Sequence, residues 1–165
     1  MQAGKRLTAG RPLLLGIGNL LLGDEGIGAL AAQRLEKTDL AAKADIVDGG
    51  TGGFHLLSLL QEYSRVILID AAMDERPPGT ITRLRPRFAS DFPRSLSAHD
   101  IGLRDLFETA ALLGELPQID LITISIEKMQ SMGLEVSEPV RAALSGVEEI
   151  VRKLVENSGD PLENR

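Results

Sequence analysis

The sequence predicts an α/β fold: a three-layer, twisted, mostly parallel sheet with helices on both faces and one antiparallel edge strand. Three observations predict it. Short apolar runs alternate with stretches of helical periodicity along the chain. The most apolar run, Val66-Ile67-Leu68-Ile69, has no polar face, which suits a strand buried on both sides. The run Gly79–Arg85 alternates polar and apolar residues, as an exposed or edge strand does. Alternating strands and helices imply βαβ units, and in such sheets ligands are met beyond the carboxyl ends of the strands.

Each element has its own signal. Pro12–Ile17 is an apolar run ending in Gly16 and Gly18, and reads as the first strand. Asp24–Lys37 carries Ile27, Leu30, Ala31 and Leu35 at helical spacing. Asp45–Asp48 is a short strand, Gly49–Gly53 a glycine-rich turn and Phe54–Tyr63 a helix. Arg65–Asp70 is the central strand, Ser97–Leu113 a helix and Ile119–Ile126 a strand. The last helix, Ser137–Glu156, opens with Ser137-Glu138-Pro139, which places serine at the N-cap and proline in the first turn. Residues 11–156 form one domain in this reading, between tails at 1–10 and 157–165.

Composition narrows the function. A length of 165 residues is about one domain. Aromatic residues make up 3% of the chain, with no Trp and one Tyr, so the core must rest on aliphatic side chains, and the scarcity argues against a base-stacking surface. A net charge of −6 argues against binding to phosphate backbones. There is no Cys, which removes disulfides, thiolate nucleophiles and cysteine-held metals. No stretch approaches the ~20 apolar residues that a membrane span needs. The basic start, Met1 to Arg11, lacks a following apolar segment, so no signal peptide and a cytoplasmic location are expected.

Four segments hold the residues able to do chemistry. The first is Gly16-Ile17-Gly18-Asn19 running on to Gly23-Asp24-Glu25-Gly26-Ile27-Gly28. Its acidic pair equally suits the first turn of a helix, where carboxylates meet the dipole and cap free N–H groups. A dinucleotide fingerprint fails there, because the third glycine would fall at Leu21. The second is Asp48 before Gly49-Gly50-Thr51-Gly52-Gly53, which is good turn chemistry but richer in glycine than a turn needs. The third is Asp70, at the end of the most apolar strand. The fourth is Ser97-Ala98-His99-Asp100; of the two histidines, His55 reads as structural. Glu25, Asp70 and His99 together would make an open three-ligand site for a borderline divalent metal such as nickel or zinc.

Taken together, the four segments resemble the hydrogenase maturation endopeptidase family, in order and approximate spacing, and the similarity spans residues 12–155. The resemblance implies an enzyme that clips a C-terminal extension from the large-subunit precursor of a nickel–iron hydrogenase after nickel insertion. It places Glu25, Asp70 and His99 on the nickel and Asp48 near it. The nickel belongs to the substrate, so no permanent cofactor is expected, although zinc or cadmium would suit the same ligands in isolation. One departure is Ser125-Ile126-Glu127-Lys128-Met129, where many members carry a Gln-Pro-like turn; it bears on which hydrogenase is the partner.

With no Cys and no Gly-x-Ser-x-Gly elbow, the nucleophile left is a water. It would be activated by the metal or by a carboxylate among Asp70, Asp48 and Glu25, and the sequence does not choose between them. The N–H groups of Gly49–Gly53 are candidates for holding the substrate strand or an oxyanion. Two other readings stand beside this one: a module that binds the precursor without cutting it, and a dinucleotide-dependent oxidoreductase with Asp48 on a ribose.

Overall fold

The computed structural model describes residues 10–93, 96, 103–127 and 132–157. The chain runs β1 (Leu13–Gly16), a 3-10 turn (Gly23–Gly26), α1 (Ile27–Glu36), a second 3-10 turn (Asp39–Ala42), β2 (Asp45–Asp48) and α2 (Leu56–Glu62). It continues through β3 (Arg65–Ala72), β4 (Ile81–Leu84), a third 3-10 turn (Ala89–Asp91), α3 (Leu103–Leu113), β5 (Gln118–Ser125) and α4 (Glu138–Glu156). The sheet order is β2-β1-β3-β5-β4. All pairs are parallel except β4 with β5, so the run at Ile81–Leu84 is the antiparallel edge strand its alternation predicts. From β1 the chain steps to β2 on one side, then returns to β3 on the other, which makes the carboxyl ends of β1 and β3 the switch point of the sheet.

Two cores flank the sheet. On one face Ile27, Ala31 and Leu35 of α1 and Val140, Leu144, Val147 and Val151 of α4 pack on Ile67, Ile69, Ile122 and Ile124. On the other, Leu56 and Leu60 of α2 and Leu103, Leu106 and Phe107 of α3 cover Leu13, Leu15, Val66, Leu68 and Leu121. Successive residues of β3 therefore enter opposite cores, which is why that strand is apolar throughout. Phe92 and Phe107 stack with ring centres 4.3 Å apart. Among the described residues no helix is long and apolar enough to cross a membrane.

Several boundaries shift by one to three residues from the sequence reading, and two of these shifts bear on the site. The helix expected from Asp24 starts at Ile27, and Asp24 and Glu25 belong to the 3-10 turn before it. The central strand runs past Asp70 to Ala72, because β5 continues to pair with it: Asp70 lies opposite Thr123 and Ala72 opposite Ser125. Of the helix expected from Ser97, the described part is Leu103–Leu113. The predicted tails lie outside the described residues apart from Gly10 and Asn157.

At the amino edge of the sheet Asp120 is fully buried and collects three guanidinium groups. Arg85 Nε donates to its Oδ1 at 2.8 Å, Arg83 Nη2 to the same oxygen at 3.2 Å, and Arg65 Nη2 lies 3.5 Å from Oδ2. Nearby, the Tyr63 hydroxyl donates to Asp45 Oδ2 at 2.7 Å. Burial of the phenol, followed by that bond and the Asp45 charge, pushes its pKa up from 10.0 to about 12. The folded value lies above the unfolded one, so this contribution to stability is complete below pH 10 and is lost as pH rises through 12. The chain has one Tyr and no Trp, so tyrosinate absorbance reads this group alone. A midpoint close to pH 12 is expected; a midpoint at the ordinary tyrosine value would show that the phenol is not held.

Candidate active site

The carboxyl ends of β1, β2 and β3 lie side by side: Gly16 pairs with Asp48 on one flank and with Ile69 on the other. Asp70, the next residue of β3, is fully buried. Its Oδ1 accepts the Ala71 N–H at 2.8 Å. A carboxylate buried on the most apolar strand is costly, so its retention points to function rather than packing.

Glu25 reaches the same edge through close backbone contacts. A Cβ at Gly28 would collide with the carbonyls of Ile17 and Ile69, so only glycine lets α1 sit down on the ends of β1 and β3. A Cβ at Gly18 would likewise strike the Glu25 carbonyl, which lies directly against the loop leaving β1. The 3-10 turn thereby packs against β3, and Glu25 is 2% exposed. Asn19 shapes the loop by accepting the Leu21 N–H on Oδ1 at 3.0 Å.

Asp48 is exposed at the rim, and both its oxygens are engaged. Oδ1 accepts the Gly50 N–H at 2.9 Å and Oδ2 accepts Gln33 Nε2 at 2.8 Å. The glycine loop is tied to its neighbour as well, since Gly18 N donates to Gly50 O at 2.7 Å and Gly49 N to Gly16 O at 2.8 Å. The N–H groups of Gly49, Gly50 and Gly52 all have partners within the protein, which narrows the donors this loop offers to a substrate.

His99 lies outside the described residues, as do its neighbours Ser97, Ala98 and Asp100. Leu96, three positions before it, bridges Ala72 at the end of β3, two residues beyond Asp70. Among the described residues no group of three His, Asp or Glu side chains forms a ready metal cage. His55 precedes α2 and makes no side-chain cap bond.

Asp24 is where the sequence reading needs correction. It does not cap the helix it precedes. Its Oδ1 accepts the Ser137 N–H and its Oδ2 the Ser137 hydroxyl, each at 2.7 Å. Ser137 does hold the N-cap position of α4, but its hydroxyl is directed to Asp24 and makes no cap bond to its own helix. No local spacing links two residues 113 positions apart, so sequence reasoning could not pair them.

The order of buried carboxylates at this switch point can be set beside known proteins. The model of the hydrogenase maturation protease family matches residues 29–154, a stretch containing Asp48, Asp70 and His99 and beginning just after Glu25. This chain belongs to that family. It is 34% identical over 161 residues to the hydrogenase 2 maturation protease of Escherichia coli, covering 88% of this chain and 98% of the relative. It is 35% identical to the hydrogenase expression/formation protein HoxM of Azotobacter vinelandii, covering 84% and 69%. Among solved structures, the hydrogenase maturating endopeptidase HybD of E. coli superposes with a TM-score of 0.74 at 32% identity, over 90% of this chain and 94% of that one. The maturation protease HybD of Thermococcus kodakarensis gives 0.72 at 28% identity, over 88% and 99%. The parallel sheet with its antiparallel edge is thus the fold of HybD-like proteases.

Proposed function

We propose that this protease removes the C-terminal extension of a nickel–iron hydrogenase large-subunit precursor once nickel has been inserted. Glu25, Asp70 and His99 recognise the substrate's nickel, and a water cuts the peptide bond. The observation that carries this reading is the pair of buried carboxylates, Glu25 and Asp70, drawn to one edge of the sheet by glycine contacts that no larger residue permits. Both are acidic oxygen donors that complement one imidazole on a borderline metal. The metal anchors the substrate and so aligns the scissile bond, and a precursor without nickel lacks that anchor. Asp70, Glu25 and Asp48 are the carboxylates available to activate the water. Asp48, held by Gln33 and Gly50, shapes the rim most directly.

A protein substrate is further supported by the surface around the site. Leu21, Met132 and Leu134 are 55%, 81% and 73% exposed, and backbone bonds between Leu21–Gly23 and Gly133 hold them at one rim. Exposed apolar clusters of this kind mark protein-binding surfaces.

The test is incubation with nickel-loaded and nickel-free precursor, read by intact mass. Loss of a C-terminal peptide from the nickel-loaded form alone is expected. Binding without cleavage would replace the protease with a non-catalytic module, and neither binding nor cleavage would reject the partner. In the same assay His99→Ala should abolish processing with an unchanged melting curve. Normal processing by that variant would take His99 out of the site.

A further inference from the structure

The 3-10 turn Gly23–Gly26 is also held from a distant part of the chain. The residue preceding it, Leu22, supplies no side-chain cap, and Glu25 N reaches Leu22 O at 3.2 Å. Its anchors come from the segment between β5 and α4. Gly133 N donates to Leu21 O and Gly23 N donates to Gly133 O, both at 2.8 Å, in a parallel bridge of Leu22 with Gly133. Four residues further on, Ser137 gives both its N–H and its hydroxyl to the Asp24 carboxylate, which is 3% exposed. Ser137 stands at the start of α4, which is 19 residues long and buries Val140, Leu144, Val147, Val151 and Leu154 along one face.

From this we infer that Asp24 is a positioning residue for Glu25. Its carboxylate locks the turn to the N-cap residue of α4, so the adjacent glutamate takes its place from the last helix of the fold as well as from the sheet. Both Asp24 oxygens are turned to Ser137 at the start of the last helix, each accepting a short bond from it. Hydrogen bonds to a carboxylate acceptor are the strong ones. Losing one therefore loosens the turn by roughly tenfold in its opening equilibrium. The inference rests on Glu25 meeting the substrate's metal. A looser Glu25 then weakens binding of the nickel-loaded precursor before it slows the bond-breaking step.

Ser137→Ala tests this, because it deletes the hydroxyl and keeps the N–H bond. Ser137→Thr retains the hydroxyl and serves as the rescue. Two readouts are needed on the full chain. In hydrogen–deuterium exchange, Ser137→Ala should speed the amides of residues 20–26 by about tenfold while β3 and β5 keep their protection. In cleavage of nickel-loaded precursor, its KM should rise by about tenfold with kcat within about threefold. Ser137→Thr should restore both. Unchanged exchange in the turn, or a wild-type KM alongside faster exchange, would overturn the inference. Failure of the wild-type chain to cleave would remove the reading of Glu25 and this inference together. Equal cleavage by wild type and Ser137→Ala would remove the inference alone.

Discussion

Asp70→Asn should slow cleavage by about a hundred- to ten-thousand-fold, the range expected when a base or charged ligand is taken from a reacting centre. Its melting temperature should stay the same or rise. Asparagine has the shape of aspartate and keeps an acceptor for the Ala71 N–H, so the backbone at the end of β3 is undisturbed. What it lacks is the negative charge, which aspartate carries at a fully buried position. The substitution keeps the side chain's shape and takes away the group that would serve as base or ligand. A time course of precursor cleavage by intact mass, with a thermal melt, reads both. A rate within threefold of wild type would take Asp70 out of the chemistry. A collapsed melt would make it structural.

The largest effect on stability is expected at the opposite edge of the sheet. Asp120→Ala should cost about 3–5 kcal/mol, the range for removing one partner of a buried ion pair. The substitution leaves Arg65, Arg83 and Arg85 facing one another without the carboxylate on which they converge. For a domain of this size that corresponds to a fall of roughly 10 °C in melting temperature. Urea unfolding gives the free energy directly. Arg83→Ala, which removes a third-exposed partner and relieves repulsion, should cost much less. A loss below about 1 kcal/mol in Asp120→Ala would show the cluster to be screened by solvent.

Most of the fold was readable because its strongest signals are local. Val66–Ile69 is apolar on both faces, and Ile81–Leu84 alternates at the edge. Ser137-Glu138-Pro139 marks the start of α4 one residue from its position. The misreadings have long-range causes. Ala71 and Ala72 carry no strand propensity of note, and they are strand because β5 pairs with them. Asp24 and Glu25 look like a first helical turn, and the bond that decides otherwise comes from Ser137. The Arg65–Arg83–Arg85–Asp120 cluster left two traces, an Arg-x-Arg run on the edge strand and an aspartate inside an apolar strand, but their meeting depends on register. The site was legible in part. Glu25 follows a strand, Asp48 ends one and Asp70 lies two residues before the end of another, where a parallel sheet meets its ligands. The expectation that Glu25 and Asp70 act together rests on resemblance, since their separation in the chain is no local motif.

The bond between Asp24 and Ser137 also bears on how the molecule assembles. The two residues stand 113 positions apart, so the site-bearing turn in the first quarter of the chain is closed by the start of the last helix. Contacts this distant form late, after loop closure has been met by the pairing of the strands between them. During synthesis the strands β1 to β3 can pair while the turn beside them is still open. The turn is therefore closed only once α4 has been made and docked, and a chain still leaving the ribosome pairs its first strands before that edge is complete.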